Sequence, residues 1–214
     1  MISFILKCYM WLHEILHKRI VSRLGCAVYG LHPKEALGRR FELFWMYVGK
    51  DDIVIDIACG SGSILHAIKD KIKQGYGIDL SQKQIDLCNK LHAADNLYFQ
   101  RADILNTDYK QARAEIKYNV AIYSHILEHI DNVPEFLNKV DADRILVCVP
   151  SCANWYRLLM KDLGLDIRTD RGHKREYDVD MLLEEIDAAR YEPEVIGYNS
   201  DGDLFCAAKK IKKR

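Results

Sequence analysis

The sequence predicts an α/β protein built on a doubly wound, mostly parallel sheet of seven strands with an antiparallel last strand, preceded by N-terminal helices. Three observations carry this. From Asp51 onward, short apolar runs rich in Val, Ile and Tyr alternate with helical stretches, the pattern of parallel strands joined by crossover helices. The 214 residues are 49% hydrophobic and 29% charged, enough to bury one sizeable core. The last two apolar runs flank Asn199-Ser200-Asp201-Gly202, a turn that lets them pair antiparallel.

In chain order, Ile5, Tyr9, Leu12, Leu16 and Ile20 recur at helical spacing and predict an amphipathic helix over Ile2 to Leu24. Leu31-His32-Pro33 breaks it, and Lys34 to Val48 reads as a second helix stopped by Gly49. Residues 1–48 are therefore expected to form a helical lid, and 49–214 the α/β domain. Strands are expected at Ile53 to Ile57, Gly75 to Ile78, Leu97 to Gln100, Tyr118 to Tyr123, Arg144 to Val149, Glu194 to Tyr198 and Leu204 to Lys209. Helices are expected at Ile64 to Lys71, Gln82 to Ala93 and Val133 to Val140; after Pro150 come a helix to Leu163, a polar segment through Tyr177 and a helix to Ala189.

Formal charge is zero, so the bulk composition gives no broad footprint for nucleic acid, and no nucleic-acid partner is expected. Only the ends are basic: Lys7, Lys18, Arg19 and Arg23 face Glu14 alone, and the last six residues include Lys209, Lys210, Lys212, Lys213 and Arg214. Seven scattered cysteines without a CxxC pair fit reduced thiols in a cytoplasmic protein, and no metal site is expected. The apolar stretch Ile2 to Leu12 is interrupted by Lys7 and ended by His13 and Glu14, too short for a bilayer span and lacking a cleavage signal.

The chemistry points to Val54 to Leu65. Here a strand runs through Asp56 into Ala58-Cys59-Gly60-Ser61-Gly62 and straight into a helix. Gly60 and Gly62 permit positive φ and bring backbone close to a ligand, while the helix N-terminus offers unpaired amides. Asp79 ends the next strand, 17 residues past Gly62, where a carboxylate can accept from ribose hydroxyls. A dinucleotide fingerprint GxGxxG fails at Leu65, too bulky for its third glycine.

Val54 to Gly62 resembles the first motif of class I S-adenosylmethionine-dependent methyltransferases, written VLDxGCGxG. Gly77-Ile78-Asp79-Leu80-Ser81 resembles the family's ribose-binding strand end, and Arg101-Ala102-Asp103-Ile104 its adenine-contacting segment. Tyr123-Ser124-His125-Ile126-Leu127-Glu128-His129-Ile130 resembles the fourth motif, which often carries "LEH" near the methyl donor. The resemblance spans roughly Asp51 to Ser151 and implies a Rossmann-like sheet with S-adenosylmethionine as cofactor. It assigns Asp56, Gly60 and Gly62 to the methionine pocket and Asp79, with Leu80 beside it, to the ribose. Asp103 and Ile104 would frame the adenine, and Ser124 would lie at the cofactor. Ala58 departs from the family's usual glycine, which matters only if that residue must take positive φ.

Methyl transfer from a sulfonium needs a base only when the acceptor is a poor nucleophile. For a hydroxyl acceptor, His129 and His125 are the candidates; four residues apart, they would share one face if the stretch were helical, with Glu128 close enough to orient a ring. Arg171-Gly172-His173-Lys174-Arg175-Glu176-Tyr177 resembles the "GHxRxY" insertion of some small-molecule methyltransferases, so His173, Arg175 and Tyr177 are expected at the acceptor. Asn154, Trp155 and Tyr156 could line the same pocket, and Tyr29 and His32 could reach it from the lid. The His32-Pro33-Lys34 lead-in resembles methyltransferases of surface-polysaccharide clusters, which implies O-methylation of a sugar, nucleotide-sugar or surface-glycan precursor. Two other readings stay open: methylation of a carboxylate, amine or phenol on a lipid-like or quinone-like metabolite, with the basic N-terminal helix making weak peripheral membrane contact, and a non-catalytic methyltransferase-like binding module.

Overall fold

The computed structural model describes residues 2–16, 22–29, 40–106, 116–153, 155–168, 170, 172–199 and 202–212. Ile53–Ile57 (β1) carries one polar side chain, Asp56, and is buried from Val54 onward, as suits a strand covered on both faces. Gln74–Asp79 (β2) pairs parallel on one side of it, and Val120–Ser124 (β4) on the other. Leu97–Arg101 (β3) extends the sheet beyond β2, and Arg144–Val149 (β5) beyond β4. Leu204–Lys210 (β7) lies antiparallel to β5, with Tyr191–Tyr198 (β6) antiparallel at its far edge. The order is β3-β2-β1-β4-β5-β7-β6. Strand order reverses between β1 and β4, which places the crevice for a ligand beyond their carboxyl ends.

Helices cover both faces. On one, Phe44 of Arg40–Met46 (α3) and Ile64, Leu65 and Ile68 of Ser63–Ile68 (α4) pack against Val54, Val120 and Ile122. On the other, Val133, Phe136 and Leu137 of Val133–Leu137 (α6) and Leu182 and Ile186 of Val179–Ala188 (α8) cover Ile55, Ile57, Ala121 and Tyr123. Gln82–Leu91 (α5) is capped by Ser81, whose hydroxyl accepts from the Gln84 amide. Lys69–Lys71 finishes α4 as a 3-10 turn.

β4 begins at Val120, not Tyr118, and β6 at Tyr191, not Glu194, while every strand ends within one residue of the expectation. The helices expected to reach Ala93 and Val140 stop at Leu91 and Leu137. Of the predicted first helix, Ile2–Leu16 (α1) is helical, and Ser22–Tyr29 (α2) follows after residues 17–21, which lie outside the described residues. Met10 of α1 is buried, and His13 meets the Tyr156 hydroxyl at 3.1 Å on Trp155–Asp162 (α7). His32, the first residues of the expected 34–48 helix, Asn154, Arg171, Ser200, Asp201, Lys18, Arg19, Lys213 and Arg214 lie outside the described residues, as do the side chains of Tyr29 and Trp155. No helix among the described residues is long and apolar enough to cross a membrane.

Candidate active site

The turn after β1 is built from three consecutive demands on the backbone. Ala58 has φ 59°, Gly60 52° and Gly62 76°, all left-handed. The Cys59 amide donates to the Ile78 carbonyl at 2.9 Å, locking the turn to β2. Asp79 completes the brace: Oδ2 accepts from the Gly60 amide at 3.0 Å and Oδ1 from the Ser81 amide at 2.8 Å. A carboxylate offers about four lone-pair positions, so two remain for hydroxyl donors. A Cβ on Gly60 would meet nothing within 4 Å, so the turn opens onto free space at the point where a ligand must approach.

Ala58 is the one member of this turn without the freedom its φ calls for. A left-handed L-residue costs about 1–2 kcal/mol, so Ala58→Gly is expected to raise unfolding stability by about 1 kcal/mol after glycine's own entropy cost. Urea denaturation checks this, and unchanged or lowered stability would show that the φ carries no strain.

Of the residues expected at the adenine, Asp103 also braces its own turn. Asp103 Oδ1 accepts from the Leu105 amide at 3.0 Å and Oδ2 from Asn106 Nδ2 at 2.9 Å, bonds that hold this exposed carboxyl below its ordinary range. Ile104 is buried in the main core, while Leu80 is 60% exposed beside Asp79. Asp56 is buried on β1 and Ser124 half-buried at the end of β4.

The fourth motif is not a helix across its histidines. His125 has φ 53°, and only Leu127–His129 forms a short 3-10 turn, so the four-residue spacing does not set the two rings on one helical face. His125 sits between carboxylates, Nε2 3.2 Å from Asp203 Oδ2 and Nδ1 3.7 Å from Glu128 Oε1. Burial opposes a charge there, but Asp203, Cys148 and Glu128 outweigh it and push the pKa up to about 11. Asp203 arrives through the β5–β7 pairing, which sets Leu204 against Val149, and nothing local in the sequence announces it. His129 is half-buried, its Nδ1 donating to the Gly172 carbonyl at 3.1 Å, which leaves Nε2 with the lone pair.

The 172–177 segment folds onto this motif. The Lys174 amide donates to the Glu128 carbonyl at 2.8 Å, Tyr177 donates its amide to Pro150 at 3.1 Å, and His173 is buried with its ring edge-on to His129 at 4.8 Å. Arg175 pairs with Glu185 and donates to the carbonyls of Ile130 and Asp131, and the buried Tyr177 donates its hydroxyl to Glu185 at 2.7 Å. Both therefore pin the segment to α8 and the fourth motif. Arg175→Ala is expected to cost about 2 kcal/mol of stability by stranding Glu185 and two carbonyls. A thermal melt checks it; unchanged stability with a raised acceptor KM would place Arg175 at the acceptor instead.

A seven-stranded sheet in this order, with a glycine turn braced by an acid on the next strand, defines the Rossmann-like fold of class I methyltransferases. Residues 55–143 match the family model of the methyltransferase domain. An uncharacterized protein of Methanocaldococcus jannaschii is 28% identical over 112 residues, which span 50% of this chain and 30% of that relative. Among solved structures, an O-methyltransferase family 2 protein of Planctomyces limnophilus in complex with apigenin superposes with TM-score 0.65 at 13% identity, covering 88% of this chain and 60% of the other. The magnesium protoporphyrin IX methyltransferase of Synechocystis, with bound SAH, gives 0.61 at 14% identity over 81% and 83% of the two chains.

Proposed function

We propose that this domain transfers the methyl group of S-adenosylmethionine to a hydroxyl of a small molecule, a sugar, nucleotide-sugar or surface-glycan precursor. The observation that carries the reading is the left-handed turn Ala58–Gly62 braced by Asp79, inside a stretch that matches a methyltransferase domain. Asp79 would take the ribose hydroxyls, the open face at Gly60 the methionine portion, and the Asp103 turn the adenine. When bound, the cofactor supplies an activated methyl on a sulfonium, so the chain's own residues have to hold the acceptor in line and exclude water. Both ring nitrogens of His125 face carboxylates, so the acceptor's proton is drawn off at the His129 corner. The N-terminal segment, whose helix α1 is seated on α7 through Met10 and His13, acts as the lid.

Incubation with methyl-labelled S-adenosylmethionine and a panel of sugars, nucleotide sugars and phenols tests this. Label in a product one methyl heavier than a sugar acceptor supports it; label in phenols alone, or in none, contradicts it. A second reading is favoured by α1, where Phe4, Ile5, Tyr9, Trp11 and Leu12 are all exposed. An acceptor carried in a lipid surface would use that helix as its contact. Co-sedimentation with anionic vesicles, abolished by Trp11→Glu, separates this reading from the first.

A further inference from the structure

A buried carboxylate at the centre of the fourth motif lacks the bonds such a group requires. Glu128 is fully buried, and neither of its oxygens has a hydrogen-bond partner among the described residues. Its nearest polar neighbours stand off beyond hydrogen-bond length: His125 Nδ1 at 3.7 Å and His173 Nε2 at 3.8 Å. A buried carboxylate without hydrogen bonds calls for a donor or cation close to it, and the His125 imidazole at 3.7 Å supplies only part of that demand.

We propose that Glu128, His129 and His173 bind a divalent first-row transition metal ion. One ligand atom from each lies within 4.8 Å of the others, a span that closes onto a shared ion with small side-chain movements. The donor set, two imidazoles and one carboxylate, suits zinc, iron or cobalt better than the oxygen-seeking magnesium or calcium. The surroundings are those of a metal ligand shell. His173 donates Nδ1–H to Glu176 Oε1 at 2.9 Å, which fixes its tautomer and turns Nε2 toward Glu128. The Gly172 carbonyl pins the ring of His129 in the same way. Three protein ligands leave positions open for an acceptor oxygen.

This deepens the proposed function and rests on it for the acceptor's position, though not for the ion's binding. A hydroxyl coordinated to the ion ionises more readily, its proton passing to water. The freed oxygen pair forms the bond to the methyl carbon as the carbon–sulfur bond breaks, leaving S-adenosylhomocysteine. His129 then serves through the ion instead of as a free base. The sequence hides the site because its ligands come from segments 45 residues apart, at 128 and 173.

The test is calorimetric titration of chelator-stripped protein with Zn²⁺, with Co²⁺ absorption spectra in parallel. One ion per chain is expected. Glu128→Gln and His129→Gln should weaken binding at least about 100-fold, and Glu176→Gln about tenfold through the orientation of His173. Cys148→Ser should leave it unchanged, which separates this site from the neighbouring His125, Cys148 and Asp203 group. Thermal melts establish that each variant is folded, and His129, half-buried, is the exchange best tolerated. No stoichiometric uptake, uptake indifferent to Glu128 and His129, or uptake lost with Cys148 overturns the proposal. Titration of S-adenosylhomocysteine into the same samples keeps the readings apart: cofactor binding without metal uptake overturns the ion alone, and metal uptake without cofactor binding overturns the methyltransferase reading alone.

Discussion

Gly62→Ala is expected to lower unfolding stability by about 3 kcal/mol and to abolish binding of S-adenosylhomocysteine. Two costs combine. At φ 76° an L-residue pays about 1–2 kcal/mol for the left-handed conformation. The added Cβ would also lie 2.8 Å from Phe99 Cε1 and 3.0 Å from Cys88 Sγ, an overpacking worth about 1–3 kcal/mol. Phe99 has little room to give, since its ring packs at once against Cys59, Ile85 and Cys88. The Gly62 carbonyl also accepts the first bond of α4, from the His66 amide at 3.0 Å, so a shifted turn unseats the helix behind it. Gly60→Ala makes the informative contrast. Its Cβ meets nothing, so only the backbone cost of about 1–2 kcal/mol applies, yet binding should be lost because the methyl occupies the open face. Urea denaturation with calorimetry on both variants decides it; a loss below about 1 kcal/mol for Gly62→Ala would mean that Phe99 yields and the turn is soft.

Asp79→Ala should weaken S-adenosylhomocysteine binding by on the order of 100-fold or more. Two hydrogen bonds to a charged carboxylate are worth about 1.5–3 kcal/mol each, and every 1.4 kcal/mol is about a factor of ten. The exchange also releases the Gly60 and Ser81 amides, so the turn loses its brace along with the ribose its partner. Asp79→Asn separates the two effects. Its one carbonyl oxygen can retain a single amide and keep much of the stability, but it lacks the charge and the second acceptor. Near wild-type affinity in Asp79→Asn would show that the carboxylate braces the loop and does not hold the ligand.

What could be read beforehand was whatever the chain states locally. β1 and β5 begin and end at the expected residues because largely apolar runs are bounded by Asp52 and Asp143 on one side and by Ala58 and Pro150 on the other. The turn at Gly60 and Gly62 and the acid at Asp79 were legible for the same reason, as strand, glycine and helix follow without a gap. What stayed hidden was non-local or conformational. Asp203 reaches His125 only through the β5–β7 register, and Glu185 reaches Arg175 and Tyr177 only once α8 packs beside the fourth motif. The left-handed φ of His125 breaks the i to i+4 relation that a helical reading assumes. The employment of Asp103 in its own turn follows from Asn106 three residues on, a signal that was present in the sequence and is common enough to pass for an ordinary loop.

Calorimetric titration of S-adenosylhomocysteine into the folded wild-type chain tests the central claim most directly. A single site per chain with micromolar affinity, competed by S-adenosylmethionine, is the predicted result. A well-folded chain that releases no heat with either compound at millimolar concentration would contradict it, leaving the braced turn as a structural element without a ligand.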